Sequence, residues 1–147
     1  RVASRARLEG MISRYTGMGL LHEIREQLEK VLTSVFHGKY VGCLGVDMMI
    51  YEDESGGFGV QPCVEINLRY NMGIVSIALQ RFLQEEVEGV FTIRFSPKPG
   101  EIMQSVEENR DAYPLQVKTG RITAGYINLT PVSRESRFVA ELYVGDK

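Results

Sequence analysis

Gly42-Cys43-Leu44-Gly45-Val46-Asp47-Met48-Met49-Ile50-Tyr51, then Glu52-Asp53-Glu54-Ser55-Gly56-Gly57, then Phe58-Gly59-Val60-Gln61-Pro62-Cys63-Val64-Glu65-Ile66-Asn67-Leu68-Arg69 is the stretch on which the fold turns. In the first run Leu44, Val46, Met48 and Ile50 alternate with Gly45, Asp47, Met49 and Tyr51, the period of a strand over 43–51. The last run predicts a second strand over 58–68. A short, acidic, glycine-closed turn between them makes the pair an antiparallel hairpin. Strand side chains alternate faces. Asp47 therefore shares a face with Gly45 and Met49, and Glu65 shares one with Cys63, Asn67 and Arg69. With the turn centred on Gly56, Asp47 falls directly opposite Glu65, and Asn67 is the next residue along that face.

Two carboxylates opposed on a ladder repel each other. Burying both raises one pKa unless a cation lies between them. Asp, Glu and Asn offer only hard oxygen ligands, which suit Mg²⁺ or Mn²⁺ rather than zinc. Magnesium takes one or two carboxylates and fills its other positions with water and nucleotide phosphates. Arg69, further along the face, suits a phosphate or carboxylate oxygen. Tyr70-Asn71-Met72-Gly73 then leads into a helix from about Ile74, whose free N–H groups suit an anion. The same pattern also describes the plain solvated face of a sheet, with Arg69 neutralising Glu65 at the surface. A one-residue slip in register would send the whole face elsewhere. That register sets Cys43 opposite Arg69, too far from Cys63 for a disulfide, so both thiols read as small buried residues.

Outward from the hairpin, Leu20, Leu21, Ile24, Leu28, Val31, Leu32, Val35 and Phe36 follow the helical period over 20–37, closed by His37 and Gly38. Residues 1–19 are basic and form an arm/loop segment, its arginines Arg1, Arg5, Arg7 and Arg14 read as a solvated helix or arm and Tyr15–Gly19 as a loop. Residues 74–87 predict a second amphipathic helix, with Ile74, Ile77, Ala78, Leu79, Phe82 and Leu83 inward. Strands are expected at 90–96, 121–129 and 137–144, with a short one at 115–118. The polar, acidic stretch 101–114 reads as a mobile surface connection. His22 sits among charged residues and reads as solvated. The expectation is an α+β fold, mainly antiparallel sheet with two principal helices, in one domain over 1–147.

The composition, 44% hydrophobic and 24% charged in 147 residues, is that of a globular domain. A net charge of -2 argues against bulk attraction to nucleic acid or an anionic membrane. No apolar run approaches the ~20 residues of a membrane span. With no secretory signal and no zinc or disulfide spacing, a cytoplasmic location is expected. The start at Arg1-Val2-Ala3-Ser4 fits processing or a cut from something longer.

The Gly-Val-Asp ending at Asp47, the acidic turn, and Val64-Glu65-Ile66-Asn67-Leu68-Arg69 together resemble the metal-binding hairpin of the ATP-grasp superfamily. The likeness spans about 15–85, and its specific part is 42–73. It implies ATP-dependent ligation of a carboxylate to an amine or thiol through an acyl phosphate. On that resemblance Asp47, Glu65 and Asn67 would hold Mg²⁺ bridging the ATP phosphates, and Arg69 would contact phosphate or substrate. Asn71 and Gly73 would lie in the segment that holds the acceptor carboxylate. The earlier ATP-grasp lobe, with its phosphate-reaching lysines, has no counterpart before Asp47. The chain thus looks like the carboxy-terminal part of a longer protein, inactive alone, whose partners are a nucleotide, a small carboxylate and its own amino-terminal part. Homo-oligomerisation is left open. The competing reading is a non-catalytic α+β interaction module, with the edge at 90–96 available for pairing. Residues after 90 match no motif.

Overall fold

The computed structural model describes residues 1–145. Among the described residues the fold is α+β, with four helices and antiparallel sheets. Contacts divide the chain into two compact units, one of Arg5–Val75 and one of Arg1–Ser4 with the residues from Ser76 onward. The division falls inside a helix, which is why no glycine- or proline-rich linker marks it in the sequence.

In the Arg5–Val75 unit, α1 (Arg5–Thr16) and α2 (Met18–Phe36) precede β1 (Gly45–Glu52) and β2 (Phe58–Asn67). Of the helix or arm expected over 1–19, the structure forms the helix, α1, in place of most of the arm and loop, and Arg5 is tied rather than loose. Glu9 accepts from both Arg5 and Arg25, which joins α1 to α2. Those two guanidinium groups hold the Glu9 carboxyl below its usual range. Only Gly17, at φ 74, remains of the loop. Tyr15 meets Phe58 edge-on at 5.1 Å between ring centres, which seats α1 on β2. α2 ends where expected, with the His37 N–H donating to Thr33 and Gly38 turning at φ 71.

β1 and β2 pair as Gly45↔Asn67, Val46↔Ile66 and Asp47↔Glu65, then slip to Met49↔Gln61. β2 thus carries two extra residues against Met48. Pro62, which has no N–H to give the ladder, lies in that bulge. A slip of two leaves every side chain on its own face.

α3 (Met72–Gln80) runs from this unit into the other. It is shorter than the expected 74–87. Leu83 leaves the helix to bridge in parallel with Ile122, where it is 3% exposed. Burial in a sheet-lined core outcompetes the last helical turns there.

The second unit is a four-stranded antiparallel sheet in the order β3-β6-β5-β4, made of β3 (Gly89–Phe95), β4 (Gln116–Lys118), β5 (Arg121–Asn128) and β6 (Phe138–Val144). Lys118 pairs with Arg121 across Thr119-Gly120, both at positive φ, a two-residue turn that matches strand twist. The stretch expected as a mobile connection is instead α4 (Glu101–Ala112). Its apolar stripe is only Ile102 and Val106, one helical turn apart and fully buried against Tyr126 and Val139. The opposite face of the sheet packs Val2, Leu83, Leu142 and Val144.

Beneath α4, Glu141 is 3% exposed. Arg94 donates to both its oxygens at 3.1 and 3.3 Å, and the Tyr126 hydroxyl donates at 2.8 Å. Removing one member of a buried ion pair leaves the other uncompensated. Arg94→Ala is expected to cost about 2–4 kcal/mol in urea unfolding, discounted because the guanidinium is partly solvated. Burial, and then the bond to Glu141, push the Tyr126 phenol well above its ordinary value. A phenol kept protonated only when folded stabilises fully below the unfolded pKa of about 10 and loses that contribution as pH rises beyond it. Tyr126→Phe should therefore flatten the fall of stability above pH ~10, with Tyr143, raised mainly by burial, keeping part of the slope.

Candidate functional site

The hairpin gathers the oxygen-rich side chains through its register. Asp47 and Glu65 are directly paired, so both carboxylates leave the same face. Asn67, paired with Gly45, lies on that face too. It is 8% exposed, and its Nδ2 donates to Asp47 Oδ2 at 3.2 Å. The amide's donor end is thus spent on orienting Asp47. Its carbonyl, the end able to ligate a hard cation, is left out of that bond. Asp47 and Glu65 are exposed. Water and a ligand's own oxygens can therefore reach the pair.

Gly45 and Asn71 complete the corner, and their connection was not legible from spacing. A Cβ on Gly45 would fall 1.8 Å from Asn71 Nδ2, so only glycine lets the Asn71 amide lie over β1. Asn71 Oδ1 accepts from the Ile74 N–H at 3.0 Å, which caps α3. Gly73 keeps the space beside that cap, since a Cβ there would meet Asn71 Oδ1 at 3.3 Å. The signal for the cap was present in the sequence, as Asn71 precedes Ile74 by three residues. Asn71 therefore uses its acceptor within the fold, and what it can offer a ligand is its Nδ2.

Arg69 is exposed and lies two residues past the end of β2, where ladder alternation no longer sets its direction. Tyr70 lies by Cys43, whose thiol pushes the Tyr70 phenol up from its ordinary value. Cys43 and Cys63 are free and half-buried rather than buried. His22 faces Glu26 at 3.3 Å on the α2 surface. A cleft of about 510 Å³ between the end of α2 and the lead into β1 is lined by Leu32, Phe36, Tyr40, Val41 and Leu44, and does not include the acid pair. Among the described residues, no group of three or more His, Cys, Asp or Glu is placed to hold a metal. The arrangement is two carboxylates and one amide.

No protein-family model matches the chain, and neither a search of curated proteins nor one of solved structures found a match. Among the described residues no helix is long and apolar enough to cross a membrane.

Replacing the cap tests the corner. Asn71→Ala should lower stability by about 1 kcal/mol, and Asn71→Ser should recover most of it. Gly45→Ala should displace the Asn71 amide and cost at least as much. Urea unfolding followed by circular dichroism measures all three.

Proposed function

We propose that this chain is the Mg²⁺-ATP-binding portion of an ATP-grasp-like ligase that joins a small carboxylate to an amine or thiol. The observation that carries the reading is the direct pairing of Asp47 with Glu65, with Asn67 bonded to Asp47 on the same face. The donor set is all oxygen and carries two negative charges, which fits Mg²⁺ or Mn²⁺ and disfavours zinc. The exposure of Asp47 and Glu65 leaves positions for water and phosphate.

When bound, the metal would supply charge neutralisation and orientation for the ATP phosphates. Asp47 and Glu65 would hold it, and Asn67 would do so through its carbonyl while fixing the Asp47 carboxylate. Arg69 would meet the charge of the phosphoryl group or the incoming carboxylate. The capped start of α3, with the Asn71 Nδ2, would orient the acceptor carboxylate by donating hydrogen bonds. No side chain near the pair is required as a nucleophile, because phosphoryl transfer depends mainly on positioning and charge.

The hairpin's other face supports the reading that the chain belongs to a longer protein. Met48, Ile50, Val64 and Ile66 are exposed there, and Ile24 is the one buried apolar residue described between Arg5 and Val75. An apolar face of that extent asks for cover. A two-stranded sheet is at best marginal without it.

Calorimetric titration of ATP into the full-length protein, with and without MgCl₂, tests the proposal. The wild type should bind in a magnesium-dependent way, and Glu65→Ala should lose at least about tenfold in affinity, as expected for a missing charged ligand. Magnesium-dependent binding of wild-type strength by Glu65→Ala would contradict it. The 147 residues alone should show no ATP turnover.

A further inference from the structure

β3 is the edge strand of its sheet, with β6 on one side. On the other side the chain's first residues touch it at one point. Val2 and Gly89 exchange both backbone bonds at 2.8 Å each, an antiparallel, hydrogen-bonded pair. Arg1 adds an ion pair to Glu88 at 3.0 Å. Val2 is fully buried and belongs to the core on that face of the sheet. Arg1–Ser4 are therefore anchored as the end of a strand.

The direction of that pairing has a geometric consequence. Backbone groups alternate sides along a strand. Since Gly89 points outward to Val2, the N–H and C=O groups of Phe91, Ile93 and Phe95 also point outward. Those of Val90, Thr92 and Arg94 point to β6. Continued in the same register, the residue before Arg1 falls opposite Phe91, the third before it opposite Ile93, and the fifth opposite Phe95. Directly opposed residues share a face, so these would join Val2's face. On that face Ile93 and Phe95 are each 56% exposed and Phe138 is 61% exposed, with the Phe95 and Phe138 rings 4.8 Å apart. The bare apolar patch begins where the anchored chain stops.

We propose that the residues immediately preceding Arg1 in the full-length protein form a fifth strand along the outer edge of β3, antiparallel to it and in register with Val2↔Gly89. This rests on the part of the functional reading that makes the chain a piece of a longer protein, and not on its metal site. The strand would close an open edge of high β-propensity, a pairing hazard if left bare. Its first, third and fifth residues upstream of Arg1 would be apolar and cover Ile93, Phe95 and Phe138. The neighbour it serves is a sheet edge, so the partner is a backbone as much as a set of side chains.

Hydrogen exchange on the full-length protein, read residue by residue, tests this. The outward amides of Phe91, Ile93 and Phe95 should be protected at least about a hundredfold over an open edge, comparable with the inward amides of Thr92 and Arg94. Fast exchange at the three outward amides overturns the proposal. So does protection that grows with protein concentration, because a second copy would then hold the edge. The sequence upstream of Arg1 gives an independent reading. Charged residues or proline at the first, third and fifth positions, or a native start at Arg1, would also overturn it. Ile93→Lys supplies a further check. On a covered edge it should lower the unfolding midpoint of the full-length protein, and a midpoint unchanged from wild type counts against cover. None of these results depends on magnesium or ATP, so the strand and the metal site fail separately.

Discussion

Two like charges, Asp47 and Glu65, stand opposite one another on a short ladder, and the functional reading of this protein starts from that pairing. Opposed carboxylates on a ladder repel each other, and both of these remain exposed to water. The pairing adds no attraction of its own to the ladder. Asn67 offsets only part of the repulsion, by donating one bond to Asp47. A divalent cation reverses the sign of the interaction. The chemistry proposed here follows from that reversal together with the all-oxygen donor set.

The corner around the pair is held by contacts that do not themselves require a ligand. Gly45 admits the Asn71 amide, Asn71 caps α3, and Gly73 leaves that cap its space. The start of a helix is thereby fixed beside the strand that carries Asp47. The Arg94–Glu141–Tyr126 group in the other unit is different in kind. Its carboxylate is saturated by protein donors, and it reads as a structural pin that locks α4's side of the sheet.

Much of this was legible in the sequence where period and turn chemistry agreed. Strict alternation and the acidic, glycine-closed turn set the hairpin, but the turn closes Glu52 against Phe58, one residue short of the expected centre at Gly56, and it is the two extra residues of β2 around Pro62 that bring Asp47 opposite Glu65. α2 and the strands of the second sheet followed from the same signals. The failures have physical causes. α4 buries only Ile102 and Val106, too narrow a stripe to stand out among charged residues. α1 is held by the Arg5–Glu9–Arg25 link, which depends on α2 being alongside. α3 ends early because Leu83 finds a pairing partner some forty residues later, at Ile122. The Val2↔Gly89 pair and the Gly45–Asn71 contact are likewise long-range, and local periodicity carries no trace of them.

Paramagnetic broadening tests the central claim most directly, because it reports where a cation sits rather than whether one binds. Mn²⁺ would be titrated into the isotope-labelled full-length protein in the presence of ATP. The account predicts that the Asn67 side-chain amide and the backbone signals of Asp47 and Glu65 broaden first, with those of the β3–β6 sheet unaffected at the same Mn²⁺ level. Broadening centred elsewhere, or spread evenly over the acidic residues, would contradict it.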